Sequence, residues 1–144
     1  MHSTRRTAAI IAVALSLAGC GSTEPRPYYE RRLGSIMVES GSLDVPSEGL
    51  VGVPVSFTVV TAGGGCVRQG DTEVRIAGLV ADVMPYDSVY VNLPSNMACT
   101  DELMPLRHNV SFTFASAGTA TVRIHGFTPP GRSPVVYERT VGIR

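Results

Sequence analysis

His108 and His125 are the histidines beyond the N-terminal region of this 144-residue chain, and imidazole is the side chain that most readily binds a metal or moves a proton near neutral pH. Their spacing permits one shared site. If Phe112 to Phe114 and Thr121 to Ile124 close a tight hairpin through Ser116-Ala117-Gly118, residues pair near i + j = 234. His108 then falls opposite Gly126 and His125 opposite Asn109, so a metal ion could bridge the two rings. If the two segments enter different sheets, the histidines part. Four carboxylates, Asp71, Glu73, Asp101 and Glu102, lie within a few residues of Cys66 or Cys99. Gathered at one end of a domain they would offer oxygens to calcium, which takes about six to eight. No DxDxDG spacing accompanies them, and solvation of loop acids is the simpler expectation.

Covalent catalysis needs a nucleophile beside a base and an oriented third group. The chain contains no GxSxG and no HExxH. Gly63-Gly64-Gly65 is followed by neither a helix pattern nor Gly-Lys-Ser/Thr, which a phosphate loop requires; it is expected to free the backbone for a turn before Cys66. The sequence therefore predicts a protein that is not an enzyme and gives no reason to expect a cofactor.

The elements that would position these residues are strands. From Leu33 onward, short apolar runs are split by Gly, Pro, Asn and Asp. Ile36 and Val38 alternate in a first predicted strand, before a turn-rich stretch from Gly41 to Gly49. Val55, Phe57 and Val59 share one face of a second, with Ser56 and Thr58 opposite. Val74 and Ile76 give a third, Leu79 to Met84 a fourth, and Ser88 to Leu93 a fifth. Val110, Phe112 and Phe114 form a sixth. Thr119 to His125 make a seventh, with Val122 and Ile124 assigned to opposite faces, and Val135 to Ile143 an eighth. No helical stripe of useful length occurs. Seven to eight strands in about 110 residues predict an all-β, antiparallel β-sandwich over residues 33–144.

Ahead of the domain, Met1 to Arg6 carries two arginines and Thr7 to Leu17 is an apolar run. Charge, apolar run and small residues are the parts of a secretory signal peptide, and the run is shorter than the roughly 20 residues that a membrane span requires. Leu17-Ala18-Gly19-Cys20 then resembles the lipobox of bacterial lipoproteins. The resemblance implies that residues 1–19 are cleaved as a signal peptide and that Cys20 receives lipid, palmitate among the acyl chains. Gly21, where an aspartate would signal inner-membrane retention, implies the cell outer membrane. Residues 20–32 read as the acylated cysteine and a flexible tether, whose Tyr28 and Tyr29 either rest on the domain or sit near headgroups.

With Cys20 lipidated, Cys66 and Cys99 remain for a disulfide bond in an oxidising compartment. The stretch Phe112 to Ile124 resembles the strand, Gly turn and strand found late in bacterial immunoglobulin-like domains. Gly52-Val-Pro-Val-Ser-Phe-Thr-Val resembles their second strand, and Glu138 to Ile143 their last. That resemblance implies a crossover between sheets after Phe114, which separates His108 from His125. Removing residues 1–19 leaves 10 arginines against 12 acidic residues, a net of −2 with no basic stripe, so nucleic acid is not an expected partner. The expectation is a lipid-anchored, non-enzymatic interaction module facing an envelope protein or polysaccharide. Its binding regions are expected at Gly63 to Asp71, Pro94 to Met104 and Phe127 to Pro134. The alternatives are a small metal-binding envelope protein using His108, His125 or the loop carboxylates, and a protease inhibitor.

Overall fold

The computed structural model describes residues 26–38, 43–129 and 133–144. The expected signal peptide, the stretch resembling a lipobox and Cys20 lie outside them. Eight strands run in chain order: β1 (Tyr28–Leu33), β2 (Glu48–Gly49), β3 (Val55–Gly63), β4 (Val67–Ala77), β5 (Val80–Val91), β6 (Met104–Phe112), β7 (Gly118–Thr128) and β8 (Ser133–Ile143). No helix occurs among the described residues.

Alternation of apolar residues with polar ones directs the packing. Buried positions recur every second residue at Val55, Phe57 and Val59 of β3, Ala81 and Val83 of β5, Val110 and Phe112 of β6, and Ala120, Val122 and Ile124 of β7. Val122 and Ile124 thus share one face, contrary to the sequence reading, because residues two apart in a strand point the same way. β3 and β6 pair antiparallel as a two-stranded sheet. The other six strands form a second sheet in the order β1-β5-β7-β8-β2, with β4 also on β5. Side chains from both sheets make one core, in which the Phe112 ring meets Phe57 and Phe114 edge-on at 6.1 and 5.4 Å. Not all pairing is antiparallel: β5 runs parallel to β7, and the short β2 parallel to β8.

Several elements differ from expectation. The predicted fourth and fifth strands are one 12-residue β5 running through Pro85. Its lack of an N–H is tolerated where the neighbour changes, since β7 pairs as far as Val83 and β1 begins at Tyr86. The stretch read as tether is, from Tyr28, strand β1, pairing Tyr28 with Val91 and Leu33 with Tyr86. Ile36 makes only an isolated bridge to Thr61. Residues 34–37 pass from one sheet to the other: Ile36 N–H donates to the Phe127 carbonyl, and Met37 N–H to that of Val60.

Candidate functional site

β6 and β7 enter different sheets, and this separates the histidines. His125, on the outward face of β7, bonds Asp82 of β5 at 2.7 Å. His108 points inward and bonds Asp87 of β5 at 3.1 Å. Asp82 and Asp87 are an odd number of residues apart on one strand and so occupy opposite faces. The two imidazoles do not share a site. Among the described residues, no three His, Cys, Asp or Glu side chains converge as a metal would require.

His108 is 0% exposed and Asp87 2%, and among the described residues no fully buried side-chain N or O atom lacks a hydrogen-bond partner. Thr61 Oγ1, also buried, donates to Asp87 Oδ1 at 3.0 Å, and His108 Nε2 lies 3.1 Å from both of those oxygens. Beside the carboxylate, Nε2 carries a proton toward Oδ1, and Nδ1 lies 3.0 Å from the Thr72 hydroxyl. Each partner comes from a different strand. Thr61 is on β3, His108 on β6, Asp87 on β5 and Thr72 on β4, where a bulge between Gln69 and Thr72 shifts the register. The network therefore ties the small sheet to the large one. Its order, hydroxyl to imidazole to carboxylate, is that of a nucleophile relay. Here the imidazole is wholly enclosed, and its Nε2 and the Thr61 hydroxyl both contact Asp87 Oδ1.

Asp87 lines a cleft of about 410 Å³, between Leu33 and Gly34, Ala62 of β3, Val67 of β4, and Phe127 at the end of β7. The polar side chains lining the cleft are Asp87, Arg32 and Ser35; the rest of the lining is apolar. Arg32 is the cross-strand neighbour of Asp87, yet its guanidinium turns to Glu30 with Nε at 2.9 Å. Gly34 is required here: a Cβ would stand 2.5 Å from Thr61 Cγ2 and 2.7 Å from Asp87 Oδ2. Across Ala62 lies a second groove of about 400 Å³, walled by Met37, Leu103, Thr128 and Tyr137.

Cys66 and Cys99 form a disulfide with Cα atoms 5.3 Å apart. It ties the start of β4 to the connection between β5 and β6, beside the cleft residue Val67. Two of the expected binding regions are only partly loops. Gly63 to Asp71 is mostly the end of β3 and the start of β4, and Phe127 and Thr128 belong to β7. The glycines at 63–65 serve close approach rather than a left-handed turn, since a Cβ on Gly63 would meet Leu106 at 2.6 Å and one on Gly65 would meet Thr100 Oγ1 at 2.3 Å.

Asp71 and Glu73, weighed as calcium ligands, are held by arginines. Arg31 grips Asp71 through two bonds of 2.9 and 2.8 Å and reaches Glu73 at 3.3 Å, while Arg75 bonds Glu73 at 2.6 Å. The Arg31 guanidinium lowers the pKa of Asp71; Arg75 and then Arg31 lower that of Glu73. Asp101 and Glu102 are exposed in the loop before β6. Sequence reasoning missed Thr61, Thr72 and Asp87. The available signal was an Asp at an inward position of a strand otherwise alternating Ala81, Val83 and Pro85.

No family model, curated protein or solved structure matches the chain.

Proposed function

We propose that the chain is a lipid-anchored binding module of the bacterial cell envelope. In this reading residues 1–19 are a signal peptide, Cys20 carries the lipid at the outer membrane, and the rest is an immunoglobulin-like β-sandwich that binds without catalysing a reaction. The cleft at Asp87 carries the binding part of the proposal, because it combines apolar walls with one buried charged group held in a fixed orientation. Enclosure of His108 supports a role other than catalysis. The Cys66–Cys99 bond fits an oxidising compartment.

Two sheets around one core, the β7–β8 hairpin and the parallel β2–β8 contact support the immunoglobulin-like description; the parallel β5–β7 pair departs from it. Tyr28 pairs with Val91, so β1 enters at the end of β5 that leads into the disulfide-linked loop. Eight residues from Cys20 to Tyr28 span at most about 29 Å, which holds that end close to the bilayer.

Mass spectrometry of the protein from envelope fractions tests the anchor: residues 1–19 should be missing and Cys20 acylated. Crosslinking in intact cells, with Cys20 native, tests the binding. Partners recovered with the wild type should be lost with Val67→Trp, which fills the cleft. Retention of every partner by that variant would remove the cleft from the proposal.

A further inference from the structure

The two oxygens of Asp87 are not equivalent. Oδ1 receives both Thr61 and His108, whereas Oδ2 receives neither and lies beside the backbone of Gly34, where a Cβ would stand 2.7 Å away. A carboxylate has about four acceptor positions, so this one retains capacity at Oδ2, and Asp87 lines the cleft. The guanidinium of Arg32, which also lines the cleft, is turned to Glu30 and makes no ion pair with Asp87. The walls at Leu33, Val67, Val89 and Phe127 are hydrocarbon.

We infer that the cleft takes a small amine, its ammonium group on Asp87 Oδ2 and its apolar body along those walls. This rests on the binding-module reading and names the ligand class. A cation is favoured over a neutral donor because the carboxylate is nearly enclosed, where opposite charge strengthens a hydrogen bond. A guanidinium fits less well, since its paired donors match two free oxygens and Oδ1 is already taken by two groups. A metal ion would find one carboxylate and no further His, Cys, Asp or Glu group gathered beside it among the described residues. The peptide flanking a lysine would lay polar backbone on apolar walls, so the occupant is a free amine rather than a lysine side chain. His108 and Thr61 are positioning residues that hold Oδ1 so that Oδ2 faces the ligand.

The test is a titration of the full lipidated chain in maltoside micelles, following the methyl signals of Leu33, Val67 and Val89 by NMR. The probes are benzylammonium chloride, benzyl alcohol and N-acetyl-lysine methylamide. Benzylammonium should bind about tenfold more tightly than the alcohol, the advantage of a charged over a neutral hydrogen bond. Asp87→Asn should bring the two probes level, and Val67→Trp should abolish both. If Asp87→Asn does not fold, the probe comparison in the wild type and the Val67→Trp variant still decide. Equal affinity of alcohol and ammonium in the wild type would overturn the ammonium assignment while leaving a cleft that binds apolar ligands. Binding of the lysine amide alone would overturn the free-amine assignment in favour of a peptide. No methyl shift with any probe would overturn the inference and strike the cleft from the binding-module reading as well.

Discussion

His108 and Asp87 stabilise the domain only as a pair. Removing His108 leaves a carboxylate 2% exposed with one side-chain donor, Thr61. An uncompensated buried charge costs about 3–5 kcal/mol, so His108→Ala should destabilise the protein by that order in denaturant unfolding. Adding Asp87→Asn should recover much of the loss, because the charge is then gone. A double variant as unstable as the sum of the single changes would show that the two residues act independently. Thr72→Val deletes one hydroxyl from Nδ1 and should cost about 1 kcal/mol. Gly34→Ala is a steric matter. Its methyl would meet Thr61 and Asp87 within 2.7 Å, and displacing buried groups of two sheets should cost about 1–3 kcal/mol. The same change covers Oδ2, so amine binding should fall even where the fold survives.

Strand β1 is held at the edge of the large sheet by a ladder to β5 and by a charge contact reaching across it. Arg31 crosses the Tyr86 ring, 3.2 Å from its centre, to bond Asp71 and Glu73 of β4. Because these acids titrate below their ordinary values of 3.8 and 4.5, the contact is complete above that range and is lost as pH falls through and below it. The pair is exposed, so salt should weaken it too. Exchange protection factors of β1 amides should fall on acidification and in high salt, while those of β7 hold; Arg31→Ala should remove the difference. Unchanged β1 protection would mean that backbone pairing alone holds the strand. This strand was the least legible part of the sequence. Tyr28-Tyr29-Glu30-Arg31-Arg32 has no apolar alternation, because its stability comes from the Tyr29 ring on Tyr90, 4.9 Å between centres, and from ion pairs. By contrast β3 and β6 were readable, since each buries alternate apolar residues, and β8 does so at Val141 and Ile143. The site was hidden for a related reason: it assembles four strands around a histidine whose partners are 47, 36 and 21 residues away, a separation no local pattern records.

Across the whole molecule, one covalent bond governs the end where cleft, loop and β1 meet. Residues 92–103 between β5 and β6 have few backbone contacts: Met97 to Pro94 within the loop, and a long 3.4 Å bond from Gly65 to Thr100. Their apolar side chains do not anchor them either, as Met97 and Leu103 are 50% and 65% exposed. The disulfide closes 33 residues, for which loop-closure entropy is worth about 4 kcal/mol. Reduction should therefore lower the melting temperature by about ten degrees or more, and Cys66→Ser/Cys99→Ser should match the reduced protein. The effect should also be uneven. Cys66 directly precedes Val67, which forms part of the cleft wall, so amine affinity should drop on reduction at temperatures where the core is still folded. The Asp87–His108 network, anchored in four strands, should keep its amide protection under those conditions. A melting curve unmoved after confirmed reduction would show that packing between Gly65 and Thr100 holds the loop without the bond. The cleft wall would then be set by the sheets alone.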